Sequence, residues 1–204
     1  MDEQQAQPTT GAAGAHLPAP RTDRTRIHRH PERAVPEQIE EILRAGMVAH
    51  VAYVDGGEPR VIPFLYLYES GHVYLHGSPG SGTLRLLRDG RSVTVSVAMI
   101  DALVASKTEM NHSANYRSAV VFGHSHRVSD PEKKRRVLRA LGARYFPERE
   151  APRDFSLATE DDLVRTELLA VEIDEGQAKA RTGAAMGPGD EDPAVPGSAF
   201  IRPI

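Results

Sequence analysis

The chain changes from strand to helix at His72-Val73-Tyr74-Leu75-His76-Gly77-Ser78-Pro79-Gly80-Ser81-Gly82-Thr83. Its first residues have the character of a β-strand, and the run from Thr83 to Asp89 predicts a short helix. The glycines between them let main-chain N–H groups turn toward a ligand, and the start of a helix presents further unpaired N–H groups and a partial positive charge. These features suit a phosphate or sulfate better than an apolar ligand, and a flexible hairpin loop without a ligand stays open as the alternative.

The composition excludes several classes of protein. A chain of 204 residues with 40% hydrophobic and 26% charged residues fits one domain with a packed core. It has no cysteine, which excludes disulfides, thiolate catalysis and cysteine-based metal sites. The net charge of −3 gives no reason to expect a nucleic-acid partner. Since no stretch approaches the ~18 apolar residues of a membrane span or the apolar core of a signal peptide, we expect a cytoplasmic protein with no membrane partner.

The two ends of the chain are predicted to lie outside the domain. Residues 1–25 are poor in large apolar side chains and predict a disordered arm. Residues 186–204 are rich in Gly, Pro, Asp and Ala and predict a C-terminal tail, which leaves residues 26–185 as the domain. A basic cluster near the arm is interpreted as a solvated tail, with docking on an acidic surface or nucleic acid as the alternative. The cluster consists of Arg21, Arg24, Arg26, Arg29 and Arg33.

Between these ends, hydrophobic periodicity predicts about six antiparallel strands and two or three helices. Pro36 to Gly46 and Asp130 to Tyr145 predict helices. Pro63 cannot donate to a strand ladder, so its strand is placed at a sheet edge or a bulge. Consecutive strands joined by tight turns indicate a closed or split β-barrel. The predicted strands are Met47–Val54, Arg60–Tyr68, a third ending at His76, Ser92–Ile100, Leu103–Lys107, Tyr116–Val128 with a bulge at Gly123, and Leu163–Asp174.

Four blocks together resemble the flavin-nucleotide-binding proteins of the pyridoxamine 5′-phosphate oxidase-like superfamily, in the branch with nitroimidazole-resistance-type proteins. The blocks are Gly57–Pro63, Val73–Ser78, Asn115–Gly123 and Ala178–Gly183. The resemblance spans roughly residues 27–185. It implies a mostly β fold, an antiparallel Greek-key-like split barrel with flanking α-helices that binds FMN. It also implies a homodimer with FMN in clefts at the dimer interface.

The resemblance also assigns residues to the cofactor. The loop Gly77, Ser78, Ser81, Gly82 and Thr83 would hold the FMN phosphate. The remaining candidates would line the flavin or reach it from a neighbouring strand or the partner subunit, and they are Val61, Ile62, Pro63, Tyr66, His76, Tyr116, Arg117 and Ser118.

The sequence departs from the superfamily after the loop serine. Many members carry Arg and Lys there, whereas this chain has Gly82 and Thr83. Arg117 is predicted to be the replacement cation, with Arg85 and Arg88 as second choices. Losing a charge-assisted hydrogen bond to the phosphate costs about 1.5–3 kcal/mol. The affinity for FMN therefore depends on whether another arginine replaces the missing Arg and Lys.

The histidines are the only candidates for proton transfer or metal binding. His76 could donate to the phosphate or to a substrate, or cap its strand. His112 could donate a proton at the site, or lie in a polar loop. His124 and His126 share one strand face, a geometry that is suited to binding a metal or haem. The alternative, which we adopt, is that they are two exposed strand histidines and that there is no metal site.

The resulting hypothesis is an FMN-dependent oxidoreductase. A nicotinamide or other reductant would load the flavin, which would reduce a small aromatic or nitro-bearing substrate. Two alternatives stay open: a non-catalytic flavin or nucleotide carrier, and a split barrel that uses a deazaflavin or haem in the same cleft.

Overall fold

In a computed structural model that describes residues 22–204, the alternating apolar segments form one antiparallel sheet with helices packed against both of its sides. The strands are β1 (Ala49–Asp55), β2 (Glu58–Phe64), β3 (Tyr66–Glu69), β4 (His72–Gly77), β5 (Asp89–Ala105), β6 (Ser113–Arg127), β7 (Glu167–Arg181) and β8 (Phe200–Pro203). The α-helices are α1 (Ile39–Ala45), α2 (Gly82–Leu86), α3 (Pro131–Tyr145) and α4 (Glu160–Val164).

The strand order shows a split barrel. The strands pair in the order β2-β1-β5-β6-β7-β4-β3, and β8 pairs with β5. The edge strands β2 and β3 are separated in sequence by Leu65 alone, so the sheet curls until its two edges approach each other. The predicted split barrel with flanking helices is therefore confirmed, with eight strands in residues 22–204 where about six were predicted.

Two apolar cores lie on opposite sides of the sheet. The larger core fills the barrel. It receives side chains from β1, from each of the strands β3 to β7, and from α1 and α2. The smaller core lies between α3 and the outer side of β3, β4 and β7, where Val137 and Leu141 pack on Leu168. Successive residues of β4 and β7 thus contribute to different cores because side chains alternate across a strand.

Several predicted boundaries were wrong. The stretch Arg60–Tyr68 is two strands, because the chain passes from one edge of the sheet to the other at Leu65. The stretches Ser92–Ile100 and Leu103–Lys107 belong to the single strand β5, which continues through an irregularity between Ile100 and Ala102. The last predicted strand continues past Asp174 to Arg181.

Two local predictions are confirmed. Pro63 lies in the edge strand β2, which within residues 22–204 pairs only with β1, so its missing N–H is not required by a second neighbour. The register between β6 and β7 shifts between Phe122 and Gly123, as expected of a bulge. A Cβ atom at Gly123 would lie 1.9 Å from the carbonyl oxygen of Glu172, so only glycine permits this close approach.

The chain ends differ from the simple picture of arm and tail. Residues 1–21 lie outside the described residues, so most of the predicted disordered arm does too. Asp23–Thr25 form a 3-10 turn, and the Thr22 hydroxyl donates to the Glu175 carboxylate over 3.0 Å. At the other end, β8 extends the sheet beside β5, so part of the predicted tail is a strand.

Candidate cofactor-binding site

The predicted phosphate loop connects β4 to α2. Ser81 caps α2, since its hydroxyl accepts a hydrogen bond from the Leu84 amide over 3.4 Å, and Leu84 is buried in the barrel core. A Cβ atom at Gly77 would lie 2.8 Å from the Leu84 side chain, so glycine lets α2 pack closely on the end of β4. The Ser78 hydroxyl accepts from the Gly80 amide over 3.2 Å, which fixes the turn between them.

Free hydrogen-bond donors remain at the start of α2. The main-chain amides of Gly82 and Thr83 have no acceptor among residues 22–204. A Cβ atom at Gly82 would have no other atom within 4 Å, so the loop is open to solvent at this residue. Two free amides beside an open space can accommodate the oxygen atoms of an anion.

Strand β1 contacts the same loop. The hydroxyl groups of Tyr53 and Thr83 are 3.0 Å apart, and Tyr53 is paired with Arg60 of β2 in the strand ladder. Paired residues of antiparallel strands share a face, so Arg60 lies on the side of β2 that leads to the loop. Arg60 is exposed and forms no ion pair or hydrogen bond with residues 22–204. The sequence interpretation missed this cation, although it immediately precedes Val61.

The three β2 candidates do not share one face. Ile62 packs against the barrel core, whereas Val61 and Pro63 are exposed on the outer side of the sheet. A cleft of 540 Å³ opens on that outer side between β1, β2, β5 and β6. Arg60, Val61, Thr94, Phe122 and His124 are among the residues that line it.

Tyr66 lies in the core and not on an accessible surface. Its hydroxyl donates to the Leu43 carbonyl, its side chain is fully buried, and the Arg144 guanidinium lies 5.1 Å from its ring centroid. Burial raises the pKa of Tyr66 far above its usual range, so the phenol stays protonated. The structure therefore gives Tyr66 a packing role and does not bring it to the loop.

The Arg117 guanidinium is paired with carboxylates and is not left free for a ligand. Its guanidinium makes two hydrogen bonds to Asp101, of 3.1 and 2.8 Å, and lies 3.8 Å from Glu41. The hydrogen bonds to Asp101 raise the pKa of Arg117 and lower that of Asp101. Ten residues farther along β6, the Arg127 amide donates to the carbonyl of Arg88, just after α2. An extended strand of that length covers about 33 Å, so Arg117 is remote from the loop along its own strand.

The neighbours of Arg117 lie on the outer side of β6 or between strands. Tyr116 is half-buried, and the Ser118 hydroxyl donates to the Lys179 carbonyl over 3.3 Å. Within one chain, the structure does not bring these residues to the Ser78–Thr83 loop.

A buried carboxylate that the sequence interpretation missed lies beside the loop. Glu167 pairs with Gly77 in the strand ladder, and its side chain is fully buried. It lies 2.7 Å from Arg88 and 3.0 Å from Arg127, and it also attracts Lys134, whose pKa is lowered by burial. Arg88 is thus already paired, which removes the main reason to assign it to a phosphate.

The two candidate catalytic histidines lie in different parts of the fold. His76 pairs with Leu168, which places it on the side of β4 that faces α3. Its Nδ1 atom is buried with no hydrogen-bond partner in residues 22–204, and burial lowers its pKa, so the neutral form is favoured. His112 lies at the far end of the β5–β6 hairpin, where its Nδ1 accepts from the Ser106 amide over 3.0 Å.

The strand histidines are both exposed. His124 Nδ1 lies 2.9 Å from Asp174, and its Nε2 lies 3.1 Å from the Ser92 hydroxyl. In the described part of the chain, no group of three or more His, Cys, Asp or Glu side chains is placed to hold a metal ion. Likewise, no helix in residues 22–204 is long and apolar enough to cross a membrane.

These features define a split-barrel protein with free amide donors in the loop after its fourth strand. The chain belongs to the pyridoxamine 5′-phosphate oxidase family, whose model matches residues 36–180. No curated protein sequence matches this chain.

Solved structures show the same fold. The FAD and haem binding protein from Mycobacterium smegmatis is 32% identical, with a TM-score of 0.73 over 82% of this chain and 81% of that one. The flavocytochrome Anf3 from Azotobacter vinelandii is 27% identical, with a TM-score of 0.76 over 92% of this chain and 86% of its own. A proposed 5-nitroimidazole antibiotic resistance protein from Bacteroides thetaiotaomicron is 21% identical, with a TM-score of 0.58 over 72% and 85% of the two chains, and shows the fold alone.

Proposed function

We propose that this chain is a flavoprotein that holds the phosphate of FMN at the loop between β4 and α2. The observation that carries the proposal is the pair of free amides at Gly82 and Thr83, which open onto unfilled space. Two relatives, at 32% and 27% identity, are named for FAD or as a flavocytochrome, which supports a flavin over other phosphorylated ligands. FAD contains the same riboflavin 5′-phosphate unit, so the loop would serve either flavin.

The residues around the loop fit a phosphate dianion. Arg60 on β2 and Arg85 on α2 are exposed guanidinium groups with no ion pair in the described residues. Arg117 and Arg88, in contrast, are held by Asp101 and Glu167. We therefore assign the charge-assisted contact to Arg60, with Arg85 as a second donor, in place of the predicted Arg117.

The outer side of the sheet fits the remainder of a flavin. Arg60 starts on the inner face of β2 and also borders the 540 Å³ cleft, whose residues Val61 and Phe122 would contact an aromatic ring system. The size of the cleft lies within the usual range of ligand pockets. Ser78, Ser81 and Thr83 would bind the phosphate, and Val61 and Pro63 would orient the ring. When bound, the flavin would supply electron transfer from a reductant such as a nicotinamide to a small aromatic or nitro-bearing acceptor.

We further propose a homodimer that covers this outer side. Val54, Val61 and Ile100 are 57%, 58% and 55% exposed. Three large apolar side chains exposed on neighbouring strands are unusual for a surface that faces only water. Tyr116 and Ser118 lie on the same side of β6 as Phe122 and would reach the flavin of the partner. Sedimentation analysis would test this proposal, since a single subunit at micromolar concentration contradicts it.

Reconstitution with flavin tests the proposed function. Purified protein is titrated with FMN, FAD and a deazaflavin, and the flavin absorption, flavin fluorescence and melting temperature are recorded. We expect one of the riboflavin phosphates to bind and raise the melting temperature. Arg60→Ala should weaken binding about tenfold through loss of a charge-assisted contact, and the exposed control Arg165→Ala should not. A protein that stays colourless, with an unchanged melting temperature, refutes the flavoprotein.

Gly82→Ala gives an independent test of the loop. Its Cβ atom meets no other atom of the protein, so the fold should be retained. The added methyl group would occupy the space proposed for the phosphate, so flavin affinity should fall.

Flavin that binds but is not reduced by NADH or NADPH would instead favour a non-catalytic carrier.

A second candidate function is a flavocytochrome that binds haem as well. It is favoured by the buried, unpartnered Nδ1 of His76, because an imidazole nitrogen is a common haem ligand. The names of the same two relatives support it. Addition of haemin should then produce a Soret band that is lost in His76→Phe and kept in His124→Phe. No Soret shift in the unsubstituted protein rejects this candidate.

A further inference from the structure

Helix α3 has a second apolar side that the sheet does not cover. Lys134, Val137 and Leu141 face the sheet and are buried. On the opposite side, α3 and the segment 146–158 enclose an open groove of 640 Å³, with an adjoining pocket of 190 Å³. The groove is lined by α3 and by residues that follow it, and it shares no residue with the loop after β4.

The floor of this groove is apolar. Phe146, Phe155 and Leu157 are 56%, 43% and 50% exposed. Gly142 of α3 also lines the groove, and a Cβ atom there would have no other atom within 4 Å. The missing side chain therefore leaves room for an apolar group of a ligand against the helix.

In the described part of the chain, the rim of the groove carries one cation without a partner. Arg139 is exposed and forms no ion pair or hydrogen bond with residues 22–204. The other guanidinium groups nearby are engaged. Arg135 donates to the Ala158 carbonyl over 2.9 Å and pairs with Glu160, and Arg149 donates to the Asp154 carbonyl and lies 6.0 Å from the Phe155 ring centroid. The carboxylate of Glu150, which also lines the groove, lies 3.7 Å from Arg153.

Hydrogen bonds hold the far wall in place. The Glu150 amide donates to the Asp154 carboxylate over 2.9 Å, and the Asp154 amide donates to the Glu150 carbonyl over 2.8 Å. The bond from Arg135 to Ala158 ties the end of this wall back to α3. Such a wall needs little ordering when a ligand binds, which reduces the entropic cost of binding.

We propose that this groove binds a small amphipathic carboxylate, such as a medium-chain or aromatic acid. The carboxylate pairs with Arg139, and the apolar body lies over Gly142 between Phe146 and Phe155. A free guanidinium beside exposed aromatic rings is complementary to a ligand with one negative end and one apolar end. The proposal does not depend on the flavin site.

Calorimetric titration with decanoate tests the proposal, with decanol as the uncharged comparison. We expect decanoate to bind and Arg139→Gln to weaken it about tenfold. Gly142→Leu should abolish binding, because the leucine fills the groove. Leu favours a helix more than Gly does, so the variant should stay folded, and an unchanged melting temperature would show that loss of binding does not come from unfolding. Arg165→Gln, an exposed arginine after α4, is the matched control and should bind decanoate unchanged.

Three results would overturn the proposal. One is the absence of decanoate binding, or binding that survives Gly142→Leu. Another is decanol binding as tightly as decanoate, which would leave Arg139 without a role. The third is a change of oligomeric state in Gly142→Leu without any decanoate binding, which would make the groove a contact between two copies of the chain. Flavin content is measured in every variant and should not change, so the two proposals fail separately.

Discussion

The Tyr53 hydroxyl lies 3.0 Å from the Thr83 hydroxyl and joins strand β1 to the first turn of helix α2. The two residues are 30 positions apart in the sequence. This hydrogen bond holds the loop after β4 next to the β1–β2 hairpin, where Arg60 is paired with Tyr53. The free amides of Gly82 and Thr83 therefore lie at the end of α2 that is tied to β1, and the free guanidinium of Arg60 belongs to the strand next to β1.

A double-mutant cycle measures the contribution of this bond. Tyr53→Phe and Thr83→Val should each weaken flavin binding about fivefold, because one hydrogen bond is worth about 1 kcal/mol. The double variant should be no weaker than either single variant, since both remove the same interaction. Fluorescence quenching of FMN provides the affinities. Fully additive effects would show that the two hydroxyl groups act independently.

The buried Glu167 carboxylate should be important for stability. Its side chain is 0% exposed, and its partners Arg88 and Arg127 are 27% and 52% exposed. Glu167→Gln leaves guanidinium groups without their counter-charge, so we expect a loss of about 3 kcal/mol in urea unfolding. The control is Glu69→Gln, which breaks an exposed pair with Arg136 and should cost less than about 1 kcal/mol. Equal losses in the two variants would contradict this assignment.

Stability should decrease on the acid side of neutrality because of His76. Burial lowers the pKa of His76 below its ordinary value of 6.5, so the unfolded chain binds the proton more readily than the folded chain. The free energy of unfolding contributed by the neutral imidazole is therefore fully present above pH 6.5 and is lost as the pH falls toward the folded-state pKa.

Melting temperatures between pH 8 and pH 5 test this dependence on His76. The variant His76→Leu should show a smaller loss of stability on acidification than the unsubstituted protein, because it removes the titrating group. His28→Leu, which changes an exposed histidine, should keep the original pH profile. If His76→Leu and His28→Leu have the same profile, another group governs the acid sensitivity.

The bulge at Gly123 should tolerate no side chain. A Cβ atom would lie 1.9 Å from the Glu172 carbonyl oxygen, so Gly123→Ala forces β6 and β7 apart and should cost about 3 kcal/mol. Gly142→Ala is the matched control, because its Cβ atom meets open space in a helix and should stabilise the chain by about 0.5–1 kcal/mol. Chemical unfolding of both variants decides the point, and an unchanged midpoint for Gly123→Ala would show that the strands can relax.

The fold was largely predictable, because its signals are local. Pro63 indicates an edge strand through its missing N–H, Gly123 indicates a bulge, and Asp130-Pro131 marks the start of α3, where the Asp130 side chain accepts from the Glu132 amide over 3.0 Å. The boundaries failed where neighbouring strands determine them. β7 continues past Asp174 because β6 is long enough to pair with it through Arg181.

The candidate site was predictable only in part. The loop Gly77–Thr83 is indicated by its glycines and hydroxyl groups, and its Gly82 and Thr83 amides have no acceptor among residues 22–204. The cation was not predictable. Arg117 is engaged by Asp101, and Arg88 by Glu167, which is 79 residues away in sequence. Neither pairing can be recognised from the residues that surround the arginine in the sequence.

The sequence by itself determined where strands, turns and the glycine-rich loop occur, because backbone conformation and side-chain alternation depend on neighbouring residues. Only the tertiary structure decided which charged groups are free to bind anything. Arg117 and Arg88 are neutralised by carboxylates that the folded sheet brings to them, whereas Arg60 and Arg139 are left without partners among residues 22–204. The physical reason is that charge pairing acts through space, over distances of a few ångström that only the packed chain defines.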